Sequence, residues 1–280
     1  MSVGGANYLG EMGGKDQPRK DFVWDIKLNQ TRAAAGTFIR YRVHPSFGIN
    51  LGFNYARIQG ADSLSDYGPR RGRNLSFRNT IKEVSLRGEY YFYTVNDVGR
   101  TGRYRVDFKA MVFAGVAGFH HNPQALYGGV WHDLQPLNLE ALPQPYSKYQ
   151  VSFPLGIGLF YTYMKVHRFG WEFGWRPTFT DYLDDVSSRY ADPSALADPT
   201  AIALSDRNSE VRIREGLPDE TNYGYNNGLR NPRGDPTRDD TYMITTFSYS
   251  YSIRGRSNFS RSRYNYIVGK RRRKRTKAKF

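Results

Sequence analysis

The chain has 280 residues, a formal net charge of +15 and no cysteine, so disulfides, thiolate metal sites, a cysteine nucleophile and a lipidated cysteine are all excluded. Mean hydropathy is −0.67, and the longest apolar run, residues 110–119, is too short for a membrane helix. Aromatic residues make up 15% and Gly numbers 28, a composition that suits many strands with one face against something apolar.

Period-2 alternation places eight strands along the chain. A short one spans Ser2–Leu9, so the first residues read as strand, and any export leader is expected to lie outside this sequence. A second runs through residues 33–43. In the third, Phe47, Ile49, Leu51, Phe53 and Tyr55 alternate with Gly48, Asn50, Gly52, Asn54 and Ala56. The fourth and fifth fall at residues 84–92 and 103–120. The sixth, residues 151–163, alternates Val151, Phe153, Leu155, Ile157, Leu159, Tyr161 and Tyr163 with mostly small residues. The seventh alternates Phe169, Trp171, Phe173 and Trp175 with Gly170, Glu172, Gly174 and Arg176. The eighth, residues 241–253, is built on Phe247, Tyr249 and Tyr251.

Loop lengths alternate. Connections 44–46, 94–102 and 165–168 are short, whereas 10–32, 59–79, 122–148 and 183–240 are long and polar. Strict alternation of this kind is the pattern of an outer-membrane barrel, with short periplasmic turns and long outer loops. Charge sets the phase of the strands. Arg40, Arg42, Glu83, Arg87, Glu89, Glu172 and Arg176 all lie on the polar parity of their strands. Facing them to lipid would cost roughly 2–4 kcal/mol for each cation near the midplane. They are therefore expected inside as a structural ion network that plugs a narrow lumen, in preference to an ion path. Tyr8, Tyr41, Tyr90, Tyr93, Tyr163, Trp171 and Tyr242 are expected at the interfacial girdles. A soluble lipocalin-like barrel would need the aromatic faces to line a cavity, and the four long loops argue against it. The expected fold is all-β, an eight-stranded antiparallel up-and-down transmembrane β-barrel over residues 1–253 with long extracellular loops. Residues 254–280 form a basic periplasmic C-terminal tail. An even number of strands returns that tail to the side of the short turns, so the expected location is the cell outer membrane.

Twelve of the tail's 27 residues are Lys or Arg, and none is acidic. Arg254, Arg256, Arg261, Arg263, Lys270, Arg271, Arg272, Arg273, Lys274 and Arg275, with Tyr264 and Tyr266 as apolar anchors, are the candidate partner-binding residues. After a membrane strand, nucleic acid is excluded as the partner, and an acidic protein surface fits best. Asp181, Asp184 and Asp185 leave strand seven together. They are expected to anchor a loop by capping amides and pairing with Arg71 or Arg73, in preference to holding Ca²⁺. His120 and His121 are adjacent in a strand and so face opposite ways. With His132 and Asp133 they form no catalytic constellation, and no enzyme activity, metal or cofactor is expected.

Several segments resemble PorG-type outer-membrane barrels of the Bacteroidetes type IX protein secretion system. They run Gly4-Gly5-Ala6-Asn7-Tyr8-Leu9-Gly10-Glu11, Tyr55-Ala56-Arg57-Ile58-Gln59-Gly60-Ala61-Asp62 and Gly72-Arg73-Asn74-Leu75-Ser76-Phe77. Phe119-His120-His121-Asn122-Pro123, Trp131-His132-Asp133-Leu134-Gln135-Pro136-Leu137 and Thr180-Asp181-Tyr182-Leu183-Asp184-Asp185-Val186-Ser187 continue the series. The resemblance implies a non-enzymatic subunit that anchors or stabilises a periplasmic ring made of a PorK-like lipoprotein and a PorN-like protein. The ring would sit near the secretion translocon. The other reading is a small plugged barrel with a structural or extracellular ligand-binding role.

Overall fold

The computed structural model describes residues 1–12, 28–65, 68–96, 98, 106–216, 224–225 and 231–253. The basic tail, with Arg254 through Arg275, lies outside the described residues. The chain is all-β apart from a few short helices. The described residues form eleven strands, β1 (Ser2–Leu9), β2 (Arg32–His44), β3 (Phe47–Ala61), β4 (Ser76–Asn96), β5 (Val106–His120), β6 (Pro123–Tyr127), β7 (Val130–Asp133), β8 (Tyr149–Ser152), β9 (Leu155–Tyr163), β10 (His167–Pro177) and β11 (Thr241–Tyr251). All pair antiparallel in one sheet, and β1, β2, β3, β4, β5, β9, β10 and β11 bond in a closed ring.

The closure has a definite stagger. Cα partners followed once around the ring from Arg32 pass through Ala6, Ile244, Gly174, Gly156, Phe113, Glu89 and Gly48. They return to β2 at Arg42, ten residues from the start. Because side chains alternate, all of these residues share one face, and it is the inner one. Phe113, Glu89 and Ile244 are buried there, while Leu51, Ile157 and Phe247 on the opposite parity are 51%, 45% and 65% exposed.

Eight expected strands thus appear as the ring, with three differences. The expected strand 151–163 is divided into β8 and β9 at Phe153-Pro154. Both pieces keep one register against β5, and the Pro154 carbonyl still accepts from the Gly115 amide at 3.0 Å. Proline lacks the N–H that would continue the ladder. Loop 122–148 is shorter than expected because β6 and β7 form a hairpin extending from β4. β3 and β4 also run past their expected ends to Ala61 and Ser76. With 21 residues, β4 is about 70 Å long and must stand well clear of any 30 Å layer.

Two expected girdle residues turn inward. Tyr8 and Tyr242 are buried, hydrogen-bonded to carboxylates inside the molecule. Tyr41, Tyr90, Tyr93 and Tyr163 do lie on the outer wall. A β-bulge between Tyr91 and Tyr93 shifts the phase of β4, so Phe92 and Tyr93 both face out while Tyr91 stays inside.

At the long-loop end the ring is covered. Loop 178–240 carries helices α2 (Pro199–Ser205) and α3 (Asn208–Glu215), and α1 (Gly68–Arg73) precedes β4. Leu183 and Val186 of that loop pack with Tyr8, Met12, Ile58, Leu75, Phe77, Phe119 and Tyr242 in the largest apolar cluster. No helix among the described residues is long and apolar enough to cross a membrane.

Candidate functional site

Alternation on β2, β4 and β10 turns the seven charges inward. Arg40 donates from Nε to Glu89 at 2.8 Å and from Nη2 to Glu172 at 2.7 Å. The second oxygen of Glu172 accepts from Arg87 at 2.9 Å. Glu89 also accepts from Asn50 and from the Tyr91 hydroxyl. Nearer the long-loop end, Glu83 accepts from Arg176, Asn54 and Tyr242, each at 2.7 Å. Arg42 joins neither pair of carboxylates in this set; its guanidinium lies 4.6 Å over the Tyr91 ring.

Burying such charges is expensive unless each finds an opposite charge and further donors. Glu83 and Glu89 meet that condition with three donors apiece. The room for these long side chains comes from inward glycines. A Cβ on Gly174 would lie 2.8 Å from Arg176 Nη1, and one on Gly170 would lie 2.5 Å from the Phe160 ring. Between the two groups remains a cavity of about 20 Å³, lined by Asn54, Arg87, Glu172 and Arg176. That is the size of a single water. Among the described residues the interior is a plug of paired charges and rings.

Above the plug sits a second polar network, in the cap. The Tyr8 hydroxyl lies 2.6 Å from Asp184 and 2.7 Å from Asp240 and accepts from the Glu11 amide at 3.2 Å. One hydroxyl has one proton to give, so both short contacts can be hydrogen bonds only if one carboxyl carries a proton of its own. Burial, followed by Glu11, pushes Asp184 in that direction. Asp185 is pushed up to about 7 by burial, against the pull of Arg233 and of the Tyr146 hydroxyl that donates to it at 2.7 Å. Arg233 donates to Glu140 at 3.0 Å and to the Asp185 carbonyl. Glu140 in turn accepts from the Ser187 and Ser188 amides.

Within the acidic cluster Asp185 lies beside Arg233, and Asp184 feels the charge of Arg73, one of the two expected cations. Arg73 also forks onto Asp62 at 2.7 and 3.0 Å. Asp181 is buried beside the others. Among the described residues no group of three or more His, Asp or Glu is arranged to hold a metal. His120 and His121 do face opposite ways. His120 contacts Tyr149 on the outer wall, and His121 is fully buried. The Ser147 carbonyl accepts from His121 Nε2, leaving Nδ1 to accept from Asn79. Burial lowers His121 to about 4, so the ring is neutral. His121, Tyr146 and Tyr182 stack in a row at 5.9 and 4.6 Å. His132 stands apart on the β6–β7 hairpin beside Tyr127.

Glu11, Asp62, Glu140, Arg233 and Asp240 escaped the sequence reading. Their bonds span up to 232 residues of chain, and none lies in a periodic segment. The only local sign was the turn-forming run Asn231-Pro232-Arg233-Gly234.

The profile of a family described as a domain of unknown function, DUF6089, matches residues 1–197. The chain belongs to the DUF6089 family. The DUF6089 match spans β1 to β10 and the acidic cluster but stops before β11 and Arg233, which complete the ring and the cap. No curated protein matches the chain.

Proposed function

We propose that this DUF6089 protein is a small, plugged outer-membrane barrel, a non-enzymatic subunit that holds a periplasmic assembly of a protein export machine against the membrane. One observation carries the membrane part of this reading. The outer wall of the ring is aliphatic and aromatic over its middle, while the charges of the same strands are turned inward and paired. A water-soluble protein would gain nothing from that inversion, and lipid requires it. The alternating loop lengths support an outer cap and periplasmic short turns in this reading.

The export role rests on the PorG-type resemblance. All six segments that carry it lie at the long-loop end, where Tyr8, Asp62, Arg73, His121 and Asp184 build or border the cap. In this reading the partners are the PorK-like and PorN-like ring proteins, with the translocon nearby. Residues 254–280 supply the cationic contact on the periplasmic side. The second reading, a passive barrel binding an extracellular ligand, draws on an open groove of about 600 Å³ in the cap, lined by Glu140, Ser188, Arg189, Pro232 and Asp235.

A single comparison tests the proposal. Full-length protein and a variant lacking residues 254–280 are expressed in the native host, fractionated and pulled down. Both are expected in the outer-membrane fraction, with ring proteins recovered by the full chain and reduced at least about tenfold by the variant. Equal recovery in moderate salt overturns the role of the tail, and a soluble wild-type protein overturns the whole reading.

A further inference from the structure

The outer wall is apolar in its middle, but one sector at the long-loop end is not. Across β3, β4, β5 and β8 the row Phe53, Val84, Gly118 and Val151 closes the apolar band. The next row outward is Tyr55, Lys82, His120 and Tyr149. Above it come Arg57 on β3 and Arg78 on β4, both on the outward parity. Arg57 and Lys82 are exposed, and Arg57 lies close enough to Arg78 for their charges to repel. Lys148 approaches the same place, since it and Lys82 both act on His120.

Two features make this more than scattered surface charge. The Arg78 guanidinium is stacked 3.6 Å from the Trp131 ring and donates to Gln124 at 2.9 Å, so its position is held by the β6–β7 hairpin. Arg57, Lys82 and Lys148 make no ion pair among the described residues. The acid acting on the patch is Asp133, which is already engaged by Asn122 and Gln124. On the far wall, the outward residues Phe173, Trp175 and Thr245 carry no charge.

We infer that this sector is a binding site for the net-anionic phosphate headgroup of a lipid in the leaflet at the long-loop end. Its acyl chains would lie along Phe53, Val84 and Val151, and its phosphates would meet Arg57, Arg78 and Lys82. The inference rests on the membrane reading above and adds a chemical preference to it. Charge complementarity and continuity with the apolar band select the occupant. A soluble anion has no use for the band below, and a neutral lipid has none for the cations. Guanidinium groups suit phosphate because they offer paired, fixed donors.

The test uses the full chain folded in detergent micelles and native mass spectrometry. The titrants are a bisphosphorylated diglucosamine lipid and, separately, phosphatidylcholine. Wild type is expected to bind the phosphorylated lipid. Arg57→Gln/Arg78→Gln/Lys82→Gln is expected to bind it about a hundredfold more weakly, from roughly fivefold per cation. Phosphatidylcholine binding stays unchanged. The double variant Arg57→Gln/Lys82→Gln, which keeps the Arg78–Trp131 stack, should lose about twenty-fivefold. Flotation with phosphatidylcholine vesicles is measured in parallel. Variants that float and bind the phosphorylated lipid as wild type does overturn the site alone. Wild type that fails to float overturns the membrane reading itself.

Discussion

The plug and the cap are both buried polar networks, yet they are built by opposite means. In the plug, Arg40, Glu83, Arg87, Glu89, Glu172 and Arg176 project across the lumen from β2, β4 and β10, whose ladders fix every Cα. In the cap, Glu11, Asp184, Asp185, Arg233 and Glu140 come from loop segments that hold one another. The plug can be lost only by deforming the ring. The cap can open by rearranging loops, because its carboxylates are bonded largely to loop amides and hydroxyls. A network on strands serves the stability of the ring; one on loops sets how tightly a lid closes.

The sharpest way to break this contrast is Arg176→Met. It leaves Glu83 buried with two neutral donors and should destabilise the ring by about 3–5 kcal/mol. The urea midpoint of the folded species in detergent measures it. Glu83→Gln/Arg176→Met should recover most of the loss, since removing both charges removes the penalty for the unpaired one. A single variant as stable as wild type would mean that the plug does not hold the ring.

Next in size is Arg233→Met, which deprives Glu140 and Asp185 of their cation. The cost is about 3 kcal/mol, and it should fall on the cap. Proteolysis within residues 183–240 is expected to quicken about a hundredfold, with the ring midpoint shifted by less than about 1 kcal/mol. If both fall together, cap and ring are one cooperative unit.

The smallest effect is that of pH. Burial raises Asp184 and lifts Asp185 to about 7, above their unfolded values. Their stabilisation is therefore full below the unfolded pKa and lost as pH rises through about 7. His121, lowered to about 4, acts in reverse, stabilising above its unfolded pKa and losing that as pH falls. Between pH 8 and 6 Asp185 alone strengthens the cap about tenfold, and His121 gives back about fourfold. Protection factors of the Leu183 and Val186 amides, with exchange corrected for its intrinsic pH dependence, should thus be severalfold higher at pH 6 than at pH 8. Asp185→Asn should flatten or reverse that difference.

The same contrast explains what was legible. A strand displays its inner and outer faces as a two-residue rhythm, so Glu83, Arg87 and Glu89 could be assigned to the inside from spacing alone. The rhythm fails where a bulge or proline interrupts it, as at Tyr91 and Pro154. It also misleads at strand ends, where Tyr8 and Tyr242 are tyrosines of the cap network placed like girdle residues. The cap has no rhythm at all. Arg233 and Glu140 are 93 residues apart, and nothing local to either encodes the other. The cation sector was hidden differently. Arg57, Arg78 and Lys82 are visible one by one, but only register puts them on one wall.

The ring is sealed where β1 meets β11, segments joined by the entire intervening chain. Tyr8 and Asp240 flank that seam, and the bond between them spans 232 residues of sequence. Loop closure over such a span is the slowest contact to form. The staple over the seam is therefore expected to click shut late, after the local hairpins have paired. A lid whose last bond waits for the terminal strand is a certificate of completed assembly, sealed inside the finished molecule.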